Sequence, residues 1–446
     1  MSSAIGSSTL SSSTGLDVGA TVDQLMQVER APEQLWKIQQ QAIAAQASAL
    51  RDFNSRLETL ETRSNTLKDI TGAFGQVIVE SSNEAVFSAS GDSSSAVADH
   101  MVAVTQLATV SSLYSEQAFL SPTATFTPGD LKIAVGGGPV QTITFDLNHS
   151  TLSSAVEYIN QNKFGISASL VNDAAGTRLV LVSKSSGLAG NLTVSAAPEG
   201  LGLKVGTAGQ NAKLTIDGIP VESATNKVTG ALQGVTLQLN GDVSGIPARL
   251  TVASDNAGAQ QAIKNFVSAY NDIVTNINSE FQYNAVTKSS GTLAGNSTLR
   301  SLQSTLLSLG SFQLPGTATF KTLRSLGLEM QDNGTLKVND ATLATAFQDH
   351  AAEVENFFRN DSSTGFAQTL SAKLMSLTDS VSGSLVVDAK GLDDSYKSLG
   401  DQIEGFEVRM VVRQQQLTDE YTRIDIMLRQ MTSLENQVTK QLESLK

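Results

Sequence analysis

The residues of this 446-residue chain that could perform acid–base or metal chemistry are few and scattered. Its three histidines, His100, His149 and His350, are too far apart in sequence for any two to share a helical turn and hold a metal ion. Asp349 precedes His350 near several serines, but no G-x-S-x-G turn exposes a nucleophile, and we expect a plain amphipathic helix around His350. The sequence therefore favours neither a metal centre nor a hydrolase.

Glycine-rich and acidic motifs are no better suited to ligand binding. The three glycines at 136–138 precede a proline and a strand pattern, so they predict a turn, not a phosphate cradle. The Asp-Asn-Gly run at 332–334 lacks the closing glutamate of a calcium loop in register and predicts a hairpin. The acidic pair at 393–394 suits the start of a C-terminal helix. We predict a non-enzymatic protein without a cofactor or a bound metal.

The strongest pattern is a seven-residue apolar repeat near the C-terminal end. Its first position is occupied by Tyr396, Ile403, Met410, Leu417, Ile424, Met431, Val438 and Leu445. Its second position is occupied by Leu399, Phe406, Arg413, Glu420, Met427, Leu434 and Gln441. This seam predicts a long helix with one apolar edge that must pack against a partner. The alternative interpretation is the buried face of a helix in an ordinary bundle.

The N-terminal part of the chain offers a matching helix. After Pro32, which predicts a turn or a helix restart, no proline occurs between Glu33 and Val79, so we predict one long helix or two joined by a kink. Its apolar positions are Ile43, Leu50, Phe53, Leu57, Leu60, Leu67 and Phe74. Residues 39–49 are rich in alanine and glutamine and have little apolar area to bury. We expect both chain ends to pair and their extremities to be only marginally stable in the monomer.

The central part of the chain has strand patterns. Alternating apolar residues at 101–108 and 213–222 predict strands, the latter pair joined by a type I′ turn at Asp217 and Gly218. Residues 151–162 predict a short helix with Leu152, Val156 and Ile159 inward, and residues 166–183 predict two further strands. Helical spacing returns at Asn256. The fold class is therefore α+β and multidomain, a coiled-coil-like helical stalk from both chain ends with inserted β-rich head domains.

We predict the following domain boundaries. They are a disordered lead and terminal leg helix at 1–40, an N-terminal stalk helix at 41–82, a β-rich head at 83–112 with 207–255, a second inserted head domain at 113–206, a helical leg domain with a hairpin at 256–400, and a C-terminal heptad helix at 401–446.

Charge and composition exclude several partners. The net charge of −13 argues against nucleic-acid binding, because an acidic protein is repelled by phosphates. No stretch reaches the ~20 apolar residues of a membrane span, so we expect no membrane insertion. The first fifteen residues are serine-rich without a basic start or an apolar block, which predicts a disordered segment and no cleaved secretory signal. Cysteine is absent, which excludes disulfides and thiol chemistry.

Motifs along nearly the whole chain resemble a known family. They are GLDVGATVDQLMQVERAP at 15–32, VTQLAT at 104–109, LTIDGIPVESATNKVTGALQGVTLQL at 214–239, FVSAYNDIVTNINSE at 266–280, GTLAGNSTLRSL at 291–302, LRSLGLEMQDNGTLKVND at 323–340 and the terminal seam. In this order they resemble the bacterial flagellar filament cap proteins, also called hook-associated protein 2. Residues 151–186 resemble a short module of flagellins and hook-associated proteins, whereas residues 111–145 contain no motif that we can match.

The resemblance implies a cap at the distal tip of the filament. There it would retain exported flagellin and promote its folding and insertion, as a ring-like homo-oligomer exported by the flagellar type III system with the help of an export chaperone. A hook–filament junction protein is one alternative, and an adhesin-type head that binds host mucin or glycan is another.

The residues that we predict to form the oligomer or leg interface combine both terminal segments with the polar seam positions. They are Leu50, Phe53, Leu57, Leu60, Leu67, Ile403, Phe406, Met410, Arg413, Leu417, Glu420, Ile424, Met431 and Leu434.

Overall fold

The computed structural model describes residues 16–241, 243–283, 285–286, 288–316 and 318–443. The serine-rich lead and the seam residue Leu445 lie outside this range, so the expectations for them concern undescribed residues. The chain divides into a helical unit, Met1–Lys68 with Gln260–Lys446, and a β-rich unit, Asp69–Ala259. The β-rich unit is thus inserted in sequence between the two segments of the helical unit, as predicted, whereas the finer domain boundaries stay a prediction.

The described residues contain eight α-helices, numbered along the chain. They are α1 (Val18–Glu29), α2 (Ala31–Lys68), α3 (Leu152–Gln161), α4 (Asn256–Phe281), α5 (Ser297–Ser308), α6 (Asp340–Phe358), α7 (Phe366–Thr378) and α8 (Ser384–Glu443). The predicted restart at Pro32 is confirmed, because α1 ends one residue before Arg30 and α2 begins one residue after it. The return of helix at Asn256 is confirmed by α4.

Seventeen strands are numbered in the same way over the described residues. They are β1 (Val77–Ser81), β2 (Phe87–Gly91), β3 (Ala98–Gln106), β4 (Val110–Ser115), β5 (Gly129–Val135), β6 (Gln141–Phe145), β7 (Ile166–Asp173), β8 (Gly176–Ser186), β9 (Leu192–Ala196), β10 (Leu203–Thr207), β11 (Ala212–Ile216), β12 (Ile219–Ser223), β13 (Lys227–Leu232), β14 (Val235–Leu239), β15 (Ala248–Ser254), β16 (Leu328–Met330) and β17 (Leu336–Val338).

Two cores organise the β-rich unit. One is enclosed by a five-stranded sheet, in the order β1-β15-β3-β11-β12, and a three-stranded sheet, β13-β14-β2. The other is enclosed by the four-stranded sheet β10-β4-β8-β7, the three-stranded sheet β6-β5-β9 and α3. The predicted hairpin of β11 and β12 is confirmed, with positive φ values of 51° at Asp217 and 82° at Gly218, as a type I′ turn requires. On α3, Leu152 and Ile159 are buried as predicted, but Ala155 and not Val156 completes the buried face.

The helical unit has its own core around α4. The inner face of α4 consists of Phe266, Tyr270, Ile273 and Ile277, which are all buried. Burial raises the pKa of the Tyr270 hydroxyl, which lies 3.2 Å from the carbonyl oxygen of Leu306. Phenylalanine rings from α4, α6 and α7 complete this core.

Three helix predictions are wrong. The N-terminal helix ends at Lys68 and does not reach Val79, because a 3₁₀ turn at Ala73–Gly75 intervenes and β1 pairs with β15. The acidic pair at 393–394 does not start the C-terminal helix, which begins at Ser384. The helix around His350 is not plain either, because the backbone there adopts φ −145° and ψ 43° and kinks α6.

Candidate interaction surface on the terminal helices

The two ends of the described chain pack side by side within the helical unit. The Trp36 ring contacts the Phe406 ring edge-on with centroids 5.2 Å apart, and Arg51 forms an ion pair with Asp393. As residue numbers rise along α2 they fall along α8, so the two helices are antiparallel. We call α1, α2 and residues 384–425 of α8 the terminal helix pair. The predicted meeting of distant N- and C-terminal segments is therefore confirmed.

Half of the predicted interface residues belong to the interior of the helical unit. Their side chains are at most 8% exposed: Leu50, Phe53, Leu57, Leu60, Leu67, Ile403 and Leu417. Burial of such side chains contributes about 1.5–3 kcal/mol each, so they stabilise the monomer. They are not available to a second molecule in this conformation, and their role as intermolecular contacts stays a prediction.

A small apolar cluster attaches α1 to α8. Val22, Met26 and Leu417 are its buried members, and Val18, Met410 and Tyr421 pack against them. At one side of this cluster, Nε of Arg413 donates to both carboxylate oxygens of Glu29 at 3.1 and 3.2 Å. The predicted polar seam position 413 is thus half-buried and bound to its own chain.

Asp425 of α8 contacts the first residue of the described chain. Its side chain is buried, its Oδ1 accepts from the Leu16 backbone N–H at 3.2 Å, and its Oδ2 accepts from Nε of Arg429 at 2.8 Å. The described chain begins at Leu16, and α8 continues from Asp425 to Glu443.

Beyond Asp425 the seam is exposed. Five apolar residues on one side of this segment are between 49% and 69% exposed: Met427, Met431, Leu434, Val438 and Leu442. Ile424 and Glu420 are exposed as well, whereas Phe406 and Met410 are half-buried. A contiguous apolar strip of this kind on a protein surface marks an interaction site. We call Met427, Met431, Leu434, Val438 and Leu442 the distal seam.

Sequence reasoning missed a buried charge at the α1–α2 junction. Glu33 is only 3% exposed, and its carboxylate accepts from Arg30 at 3.1 Å and from Lys37 at 2.5 Å. The hydrogen bond from Lys37 lowers the pKa of Glu33 below its ordinary value. Lys37 also lies 3.5 Å from Glu407 of α8. The i+3 and i+4 spacing of these charges around Glu33 is the signal that could have identified the site.

The three histidines stand in separate places, each beside one carboxylate. The distances from Nδ1 are 2.6 Å for His100 to Asp217, 2.8 Å for His149 to Asp146 and 3.5 Å for His350 to Glu353. Within the described ranges, no group of three or more acidic, histidine or cysteine side chains could hold a metal ion. Likewise, no helix in the described part of the chain combines the length and the apolar character that crossing a membrane requires.

Comparison with known proteins gives consistent relatives. Family models described as flagellar hook-associated protein 2 C-terminus and N-terminus match residues 209–433 and 14–111, and a model described as flagellin hook IN motif matches residues 130–185. The last match confirms the resemblance of 151–186 and extends it into the segment without a recognised motif.

Individual relatives cover most of the chain. The B-type flagellar hook-associated protein 2 of Pseudomonas aeruginosa is 28% identical over 431 residues, 89% of each chain. Flagellar hook-associated protein 2 of Escherichia coli K12 is 28% identical over 464 residues, 98% of each chain. The crystal structure of the D1-D2-D3 domains of the flagellar cap protein FliD from Escherichia coli has a TM-score of 0.63 at 29% identity and covers 77% of this chain and 99% of that one.

Proposed function

This chain belongs to the flagellar hook-associated protein 2 family, and on that premise we propose that it caps the distal tip of the flagellar filament. There it retains exported flagellin and promotes its folding and insertion into the growing end. The protein acts as a structural component without catalysis, outside the cell, after export by the flagellar type III system. Its working form is a ring-like homo-oligomer.

One observation in the structure carries this proposal, the exposed distal seam at the end of α8. An apolar strip that is left uncovered in the monomer must be covered in the working assembly, because its exposure to water is unfavourable at about 25 cal/mol per Å². In a filament cap, the proteins next to this strip are flagellin subunits and neighbouring copies of the cap protein, so we propose that they cover it. Before export, a chaperone would cover the same strip.

The polar seam positions add a means of exchange. Arg413 is held to Glu29 by an ion pair that is partly open to solvent, and such pairs are individually weak, typically below about 1 kcal/mol. We therefore propose Arg413, Glu420 and Gln441 as contacts that are broken and replaced when the cap shifts to open the next site for a flagellin subunit. Several legs bound at once would prevent loss of the cap during that exchange.

A deletion strain complemented with variants tests the proposal. Met431→Glu with Leu434→Glu places two charges on the distal seam and should release unpolymerised flagellin into the medium and shorten the filaments. Ser433→Glu with Asn436→Glu adds the same charge to the polar side of the same turns of α8, so it serves as the control and should leave filament growth intact. Hooks without filaments in the deletion strain would instead indicate a junction protein, and unchanged motility would exclude capping.

A further inference from the structure

The terminal helix pair has apolar residues on both of its outer faces. On α1 and α2 they are Val28, Leu35 and Ile38, and on α8 they are Val408, Val411 and Val412. All six side chains are between 54% and 73% exposed. We call the first three the α2 outer patch and the second three the α8 outer patch.

Both patches point away from the contact between α2 and α8. On α2 the inward positions are Glu33, Trp36 and Gln40, so Leu35 and Ile38 fall on the opposite side of the helix. On α8 the inward positions are Ile403, Phe406 and Met410. The three valines lie outside this repeat and are exposed on the outer side.

Neither patch is explained by the stability of the monomer. Exposed valines weaken a helix slightly, because their branched side chains lose rotamer freedom against the preceding turn. Ala42 and Ala45 continue the α2 outer patch along the same side and are also exposed. Small side chains at these positions leave room for another helix to approach closely.

The two patches lie at the same level of the helix pair. The contact of Trp36 with Phe406 and the ion pair of Glu29 with Arg413 fix which residues are side by side. Because the helices are antiparallel, residues that lie side by side have numbers with a constant sum, which is 442 in both pairs. Leu35 therefore lies beside residue 407, and Val28 lies beside residue 414. Val408, Val411 and Val412 therefore lie between the levels of Leu35 and Val28.

We propose that the α2 outer patch of one copy packs against the α8 outer patch of the next copy. The contact is head-to-tail, because it joins two different surfaces of the same chain. Since the patches share one level, successive copies are related by rotation without a step along the helix axis, as a closed ring requires, whereas a step would propagate a filament. This inference rests on the proposed function and names the residues through which neighbouring helix pairs touch.

The size of the patches identifies the occupant. A stable interface between free proteins uses ~20–30 residues on each side, and each patch supplies three large side chains and the flanking alanines. Such an area cannot capture a freely diffusing partner. It can add to the contacts of a neighbour that is already held in place, which is the situation of adjacent copies in a ring.

The absence of cysteine allows a direct test by cross-linking. In the complemented deletion strain, Leu35→Cys with Val408→Cys introduces one thiol in each patch. A disulfide within one copy is excluded because the two positions lie on opposite outer faces of the helix pair. Mild oxidation of assembled filaments should therefore give a ladder of covalent multimers of the cap protein on a non-reducing gel. Leu35→Cys with Gln416→Cys is the matched control, because its second thiol lies about 12 Å further along α8 and should give no ladder.

Each outcome is decisive. Filaments that grow but give no ladder with the double variant would overturn the inference while leaving capping intact. A covalent dimer from Val408→Cys alone would show a symmetric contact between two α8 patches and would also overturn it. A different observation would refute the proposed cap function itself: a deletion strain that retains flagellin as well as the wild type does.

A second measurement covers the case in which the cysteine variants do not assemble. In native mass spectrometry of the full chain, Val408→Glu should weaken association of copies about tenfold while the circular dichroism of the monomer stays unchanged, because the valine is exposed in the monomer. Equal oligomer populations for wild type and Val408→Glu would overturn the inference.

Discussion

Leu417 and Leu434 occupy the same seam of α8, yet the structure predicts different consequences when each is truncated to alanine. Leu417 is 5% exposed and packs against Val22 and Met26 of α1. Leu434 is 63% exposed and belongs to the distal seam. We expect Leu417→Ala to loosen α1 in the monomer, and Leu434→Ala to leave the monomer unchanged but to weaken the assembled cap.

The magnitudes follow from burial. Truncation of a buried leucine costs 2–5 kcal/mol, and we expect about 2 kcal/mol for Leu417 because its cluster is small and can partly collapse. Truncation of an exposed leucine changes stability by less than about 0.5 kcal/mol. Since the cluster joins α1 to α8, the loss should appear first as local opening of α1 and only secondarily as global unfolding.

Hydrogen exchange on the monomeric full-length chain measures this opening. A loss of about 2 kcal/mol should accelerate exchange of the α1 amides about 30-fold in Leu417→Ala. The same amides in Leu434→Ala should exchange at the wild-type rate. If Leu434→Ala accelerated exchange along residues 427–442 as strongly as Leu417→Ala does along α1, the distal seam would be packed in the monomer, and our account of it as an open interaction surface would be refuted.

Three further predictions concern single positions. Glu33→Gln should lower the free energy of unfolding by about 1 kcal/mol at pH 7. The hydrogen bond from Lys37 lowers the pKa of Glu33 below 4.5. The difference in unfolding free energy between wild type and Glu33→Gln should therefore be complete above pH 4.5 and vanish as the pH falls through the lowered pKa. Melting temperatures that differ equally at all pH values would contradict it. Gly391→Ala should stabilise α8 by about 1 kcal/mol, because alanine favours a helix more than glycine does and the added Cβ meets no atom within 4 Å. An unchanged or lower melting temperature would contradict this prediction. Asp217→Ala should destabilise the β-rich unit by about 1–2 kcal/mol in urea denaturation. The native Asp217 adopts a φ of 51° and its Oδ1 accepts from the Met101 N–H at 2.8 Å, and alanine is poorly suited to both. Asp217→Asn should retain most of the stability.

Local patterns in the sequence predicted most of the elements. The seven-residue repeat predicted the long C-terminal helix, and the Asp-Gly pair at 217–218 predicted the hairpin of β11 and β12. These features depend on residues within one or two turns of each other, so they are visible without knowledge of the fold. The errors occurred where local signals compete. The glycines after Lys68 and the run of β-branched residues at 77–79 favoured a strand, although the absence of proline had suggested a continued helix.

The sequence by itself determined that α8 carries an apolar seam and that the N-terminal segment could pair with it. Only the tertiary structure decided which part of the seam is covered, because Arg413 and Glu29 are 384 positions apart in sequence and nothing local fixes their register. The same repeat is buried at Leu417 and exposed at Leu434. Periodicity specifies the side of a helix on which apolar residues lie, whereas burial depends on where the partner helix begins and ends.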